Sequence, residues 1–239
     1  MDSYGLAFNS HCDLASAHCD RVAEAQRALL FLNEKQELTM ASNYDKQPFV
    51  EVPGAAHACV SGWDAVTNKL AERIAARDAV RTVLTIECYT GVHEDEIIEA
   101  LQALSPAAVI RSQDAFLSAD AIDAKVGIFN GGDDPVFGIM NHLRMHDFID
   151  ADKRAALNAD VASVAQGLVI VIGNGASLIH PGDILVYADL ARWEAQLRMR
   201  RDEISNLGVD NRDLKWSLQY KRAYFTDWRV CDRLKRELM

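Results

Sequence analysis

The sequence predicts a three-layer α/β domain on a mostly parallel sheet, preceded by a helical N-terminal extension. Short apolar segments recur at Val83–Glu87, Ala107–Arg111, Leu168–Ile172 and Ile184–Tyr187. A strand covered by helices on both faces has few polar positions to spare, so such runs read as buried parallel strands. Segments of helical character fall between them, and strand–helix alternation is the mark of this fold class. The last two strands flank a glycine loop, Gly173-Asn174-Gly175, and a Pro181-Gly182 turn, and read as neighbours in the sheet.

Taken in order, residues 1–40 are alanine-rich, with Val22, Gln26, Leu29 and Leu30 at helical spacing. Within them His-Cys-Asp occurs twice, at His11-Cys12-Asp13 and His18-Cys19-Asp20. An offset of seven returns to about the same helical face, so zinc is conceivable there, but nothing else completes a site of known spacing. Residues 41–239 form the α/β domain. It begins irregularly, because Pro48, Pro53 and Gly54 break any helix. A helix follows over Trp63–Arg77. The other helices are expected at Glu94–Leu104, Ala119–Ala124, Ala151–Ala165 and Arg192–Arg201, with a weak strand at Lys125–Phe129. In such sheets ligands bind outside the strands' carboxyl ends.

The chain has 239 residues, 49% of them hydrophobic, and a formal charge of −10. This composition suits an acidic soluble protein and argues against a nucleic-acid partner. The charge is uneven: from Arg192 onward there are 12 Lys/Arg and 8 Asp/Glu, against 13 and 27 before it. That contrast reads either as a local anion site or as a salt-bridged helical end. Five cysteines, Cys12, Cys19, Cys59, Cys88 and Cys231, are scattered without a CxxC pair, which fits reduced thiols in a cytoplasm. No apolar run approaches the ~20 residues needed to span a bilayer, and MDSYGLAFNSHCD lacks the features of a signal peptide. The expectation is a cytoplasmic protein without a membrane partner.

Several segments carry candidate chemistry. VLTIECYTGVHEDEIIEAL has the layout of a phosphate-binding strand–loop–helix, but only Gly91 remains of the small residues and no lysine follows it. Glu94, Asp95 and Glu96 fill the helix's first turn instead. Each like-charge contact near ~4 Å would oppose a triphosphate by about 4 kcal/mol before screening, at an effective dielectric of ~20. The segment reads equally as a decayed phosphate loop and as an ordinary turn with acidic capping. Asp114, past the second strand, and Asp189, past the last, are candidate bases or magnesium ligands. His142 and His146 would share one face of a helix; with no third ligand in view, their expected role is structural. Asn174 lies in the glycine loop. Arg192, Glu194, Arg198, Arg201, Lys221, Arg222 and Arg229 form the candidate anion clamp, since guanidinium groups pair with phosphate through two hydrogen bonds. Tyr220, Tyr224 and Trp228 recur every four residues, a helical stripe that docks on the sheet or on a partner.

The order VLTIECYTGVHEDE, VIRSQDAF, IVIGNGASLI and ILVYADLARWEAQLRMRRDE resembles the uridine kinase and phosphoribulokinase branch of P-loop kinases. YDKQPFV, GWD, ECYTGV, DDPVFG, GDILVYADLARWEAQLR and YKRAYFTDWRVCDRLKR more closely resemble the kinase-like N-terminal region attached to some bacterial class I mannose-6-phosphate isomerases. Together these motifs run from Tyr44 to Arg236. The resemblance implies a P-loop-kinase-like sheet with a degenerate phosphate loop, a role in carbohydrate metabolism and a cupin partner carrying the isomerase chemistry. No cupin-like ligand cluster is visible here, so isomerase activity is not expected of this chain alone.

Three functions follow as expectations. The first is a kinase-like module binding a phosphosugar or nucleotide through Asn174, Arg192, Glu194, Arg198, Arg201, Lys221, Arg222 and Arg229, without P-loop kinase activity. The second is an active sugar or nucleoside phosphotransferase using ATP with magnesium, with Asp114 or Asp189 catalytic. The third is a docking module for an isomerase cupin domain, presenting Tyr220, Tyr224 and Trp228.

Overall fold

The computed structural model describes residues 48–239 apart from Ala56, His57, Asp133 and Pro135. Ala71–Met239 form one compact unit, and the described residues up to Leu70 fall in another. The expected extension over residues 1–40, with both His-Cys-Asp segments, lies outside the described residues. Helix α1 (Trp63–Ala75) leads into strand β1 (Arg81–Cys88), helix α2 (Glu94–Leu101), β2 (Ala108–Arg111), α3 (Ala119–Val126) and α4 (Ala151–Ser163). β3 (Gly167–Gly173), the single turn α5 (Ala176–Ile179), β4 (Ile184–Ala188), α6 (Arg192–Arg200), α7 (Trp216–Arg222) and α8 (Trp228–Leu238) complete it, the last two joined by a π-helical turn, Ala223–Asp227.

The four strands form one parallel sheet in the order β2-β3-β1-β4. Val83, Leu84, Ile86, Val169, Ile170, Val171 and Ile172 have no exposed surface, the outcome expected for strands covered on both sides. Each such side chain contributes about 1.5–3 kcal/mol relative to exposure. β3 and β4 are not neighbours, contrary to the expectation from their closeness in sequence. Both pair with β1, which lies between them. The chain leaving β3 crosses β1 to reach β4, and the chain leaving β1 crosses β3 to reach β2. Right-handed crossovers in opposite directions place α2 and α5 on opposite faces.

Local chemistry explains the element boundaries. Arg77 pairs with Asp183 at 2.9 Å, while the other oxygen of Asp183 accepts from the Val83 amide at 2.7 Å, closing the amino end of β1. Lys125–Phe129 is not a strand. Ser118 caps α3 by accepting from the Ala121 amide, Ile122 and Val126 are buried at a spacing of four, and Gly127–Asn130 continues as a 3₁₀ turn. The helix expected to carry His142 and His146 is also absent: Met145–Phe148 is one 3₁₀ turn, and His142 precedes it, edge-on to Phe129 at 5.6 Å. α2 stops at Leu101 because a 3₁₀ turn follows and Ser105 turns left-handed ahead of Pro106.

The aromatic stripe faces inward. Trp228 is buried, and Tyr220 and Tyr224 pack against the same core with ring centroids 5.4 and 6.4 Å from Trp228. Replacing Trp228 with Ala is therefore expected to cost about 3–5 kcal/mol in urea unfolding followed by far-UV circular dichroism. A loss below about 1 kcal/mol would mean the stripe is not part of the core.

Candidate functional site

The chain leaves β1 towards one face and β3 towards the other, so a crevice opens between their carboxyl ends, the usual ligand position in open α/β sheets. Two turns meet there. In the first, Thr90-Gly91-Val92-His93, Gly91 has φ +88° and a Cβ on it would come 2.8 Å from Ile204 Cδ1 and 3.2 Å from Leu190 Cδ2. Glycine is needed for apolar packing over this turn, whatever the turn once did. The Val92 amide donates to the Tyr89 carbonyl at 3.2 Å, and Arg198 donates to the Gly91 carbonyl at 2.8 Å. The N-cap, His93, makes no side-chain cap, and Glu94, Asp95 and Glu96 occupy the first turn of α2. Carboxylates stand where a triphosphate would need a lysine and free amides, so this turn does not fit ATP with magnesium. Among the described residues, no group of three or more His, Cys, Asp or Glu is placed to hold a metal ion.

In the second turn, Gly173-Asn174-Gly175, the backbone amides already have an anion. Glu87, the penultimate residue of β1, accepts from the Gly175 amide at 2.6 Å and from the Ser177 amide at 2.9 Å. It is 1% exposed, and burial pushes its carboxyl up to about 7, against the lowering effect of those two bonds. Asn174 braces the turn by donating to the Cys88 carbonyl at 2.6 Å, and Ser112 donates to the Asn174 carbonyl at 2.8 Å.

Glu94 reaches across from α2. Its carboxylate lies against Gly173, where a Cβ would meet its oxygens at 3.1 and 3.3 Å. Burial pushes it up to about 7; Arg111, 3.8 Å from Oε2, opposes that, while Asp95 and Asp114 add to it. The Glu94 Oε2 atom is buried and accepts no hydrogen bond. His93 is held below its ordinary value by burial and by the Arg198 charge.

Together these turns border a cleft of about 750 Å³. The segment Glu203–Asp210 closes its far wall. That wall is pinned from behind: Asn206 donates to Asp227 at 2.6 Å and to the Gln219 carbonyl at 3.0 Å, and the Leu207 amide donates to Asp227 at 3.2 Å. Asp227 is fully buried at the end of the π turn, which swings it towards this loop. The cleft's charged lining is Glu94, Asp95, Asp114, Glu203 and Asp210 against Arg111 and Arg212.

Of the candidate catalytic and anion-binding residues named from the sequence, Asp114 and Asn174 line this cleft. The others are elsewhere, each with a partner inside the chain. Asp189 pairs with Lys235, and Arg192 pairs with Asp232 while lying over the Trp228 ring. Glu194 is buried and holds Arg198 at 3.1 Å and Arg201 at 3.2 Å; Arg201 also binds Glu203 at 2.6 Å. Lys221 donates to the Asp134 carbonyl, Arg222 pairs with Asp123 at 2.6 Å, and Arg229 donates to the Tyr224 carbonyl at 3.1 Å over that residue's ring. Of the seven charged residues of the expected clamp, Glu194, Arg198 and Arg201 meet one another, and the other four each have a different partner.

Residues 62–239 match a family described as a domain of unknown function (DUF8485). The chain belongs to this family. No curated protein and no solved structure matches it. Nothing in the family's description says what its members bind, so the cleft's own chemistry is the guide to function.

Two features in and beside the cleft, Glu87 and Arg111, have a signal in the sequence, and a third has none. Glu87 is a carboxylate at the end of the apolar run Val83–Ile86, and such a group, once buried, has to be satisfied from within. Arg111 ends β2, on the same edge of the sheet as Glu94. Asn206 and Asp227 had no local signal, because their bond spans 21 residues.

Two expectations follow. Gly173→Ala would place a Cβ 2.3 Å from Ser112 Oγ at φ +127°, so a loss of at least about 2 kcal/mol in chemical denaturation is expected. Glu87 and Glu94 hold protons more tightly folded than unfolded. Their contribution is fully present below the unfolded value of about 4.5 and is lost as pH rises through about 7. Unfolding free energy should thus fall across that window, by no more than about 3 kcal/mol per group. Glu94→Gln should flatten the profile; an unchanged slope would remove Glu94 from it.

Proposed function

We propose that the domain binds a phosphosugar in the crevice beyond β1 and β3, in carbohydrate metabolism, and does not act as a P-loop kinase. The observation that carries this reading is the cleft's lining: five carboxylates and several amides and hydroxyls, with only two guanidinium groups. A sugar's hydroxyl groups suit Asp114, Gln113, Asn174 and Ser205, which can donate, accept or do both. One phosphate monoester suits Arg111, on the inner wall, or Arg212, on the rim. A polyphosphate would bring more charge than these can meet. A volume of about 750 Å³ is in the range of small-molecule sites.

The parallel sheet and the acid-filled first turn support the resemblance to a kinase-like region with a degenerate phosphate loop. In this reading the anion partners are Arg111 and Arg212 rather than the arginines of α6 and the C-terminal helices. A phosphotransferase is the second reading, favoured by the position of Asp114 in the cleft; Asp189, held by Lys235, has no place in it. Nothing favours the docking module, since the stripe meant to carry it faces the core.

Isothermal titration with mannose 6-phosphate, fructose 6-phosphate and ATP tests this function. Saturable heat is expected with a phosphosugar and none with ATP. Arg111→Ala should weaken phosphosugar binding by about 1.5–3 kcal/mol, roughly tenfold to a hundredfold. Binding of ATP alone, with its chain at the amides of Val92 and His93, would reverse the reading. Phosphorylation of a sugar by ATP, lost in Asp114→Asn, would place the phosphotransferase first.

A further inference from the structure

Within the cleft, Glu94 is the acidic residue placed between ligand and protein interior. Its carboxylate is wedged between Gly173 and Arg111, and one of its oxygens is buried with no hydrogen-bond donor. The titratable and charged groups facing it are Arg111 from β2, Asp114 from the turn after β2, Asp95 from its own helix, and Glu87 and the Cys88 thiol from β1, the thiol raised by burial and by the Glu94 charge. Arg111 does not neutralise it fully, since that guanidinium makes its hydrogen bond to Asp95 and stands 3.8 Å from Glu94. An anionic ligand on Arg111 would therefore bring a negative oxygen beside an under-partnered carboxylate, which is repulsive.

We propose that the cleft takes up a proton together with its phosphosugar, and that Glu94 carries it. The inference rests on the phosphosugar reading and deepens it. The proton comes from solvent and forms an O–H bond on the Glu94 carboxylate; no bond of the ligand forms or breaks. The resulting acid is neutral and donates to a phosphate oxygen held by Arg111, so a repulsive contact becomes a hydrogen bond. Glu94 thereby selects ligands whose group at Arg111 accepts a hydrogen bond.

Geometry assigns the proton to Glu94 over the acids around it, since Glu203 and Asp210 on the far wall are paired with Arg201 and Arg212. Glu87 is sealed from the cleft, and its two oxygens are engaged by the Gly175 and Ser177 amides, so it has none to turn towards a ligand. Asp95 is exposed and paired with Arg111, and Asp114 is exposed to solvent on the rim, where an ionised carboxylate is hydrated. Glu94 alone among them combines a buried oxygen with a place on the cleft wall. Burial also brings its proton affinity to about 7, so uptake falls in an accessible pH range.

The test is titration of the full chain with mannose 6-phosphate and fructose 6-phosphate at pH 8, in buffers of contrasting ionisation enthalpy. Between about half and one proton should be taken up per ligand bound, and affinity should fall by up to about tenfold per pH unit above pH 7.5. Glu94→Gln, which keeps the shape and removes the titration, should bind without uptake and with affinity flat from pH 6.5 to 8.5. Glu94→Asp should restore uptake. In the free protein, the Glu94 carboxyl carbon should titrate by NMR near pH 7. Phosphosugar binding without uptake, uptake retained in Glu94→Gln, or a free-protein midpoint near the ordinary 4.3 would each overturn this inference and leave the phosphosugar reading standing. Absence of binding to either phosphosugar would overturn both.

Discussion

A carboxylate placed at the buried end of a central strand has to be satisfied from within the protein, and Glu87 is satisfied by the glycine turn after β3. Two backbone amides point at its oxygens. Burying the group without them would carry a desolvation penalty of several kcal/mol. The rest of the crevice follows from this contact. It locks the Gly173–Ser177 turn to β1, and Asn174 adds a second tie to the Cys88 carbonyl. The turn that would otherwise offer its amides to a ligand's phosphate is thereby closed by the protein's own anion.

Glu94 repeats the pattern on the other side of the crevice. It stands at the start of α2, where the helix dipole favours a negative group, and leans on the backbone of Gly173. Burial is the main cause that raises Glu87, and the nearby Glu94 charge adds to it. A ligand arriving here meets carboxylates first and reaches a cation mainly at Arg111. That inverts the logic of a phosphate loop, in which amides and a lysine wait for an anion. The proposed ligand, rich in hydroxyls and carrying a single phosphate, is chosen for the same reason.

The basic C-terminal third has another use. Several of its arginines are tied up within the chain: Glu194 bridges Arg198 and Arg201 along α6, Arg222 reaches Asp123 on α3, and Arg233 binds the Asn141 and Leu143 carbonyls. The π turn at Ala223–Asp227 serves the same purpose. It brings Asp227 inward, where Asn206 and the Leu207 amide bind it and fix the far wall of the cleft. The C-terminal helices thus shape the site from behind and supply none of the cleft's charged groups.

Apolar patterning by itself determined the α/β class, the four strands and most of the helices, because burial on two faces removes polar residues from a strand regardless of its neighbours. The negative charge of the first turn was equally legible, since Glu94, Asp95 and Glu96 are adjacent in the chain. Strand order was not legible. Local pattern makes a strand but does not say which strand it joins, and β1 came to lie between β3 and β4 only through two long crossovers. The same holds for the arginines: Arg192 and Arg222 have no visible partner in the sequence, and Asp232 and Asp123, 40 and 99 residues away, were assigned to them by packing. Arg111 and Glu94, 17 positions apart, became one feature of the cleft only when parallel pairing set the end of β2 beside the start of α2.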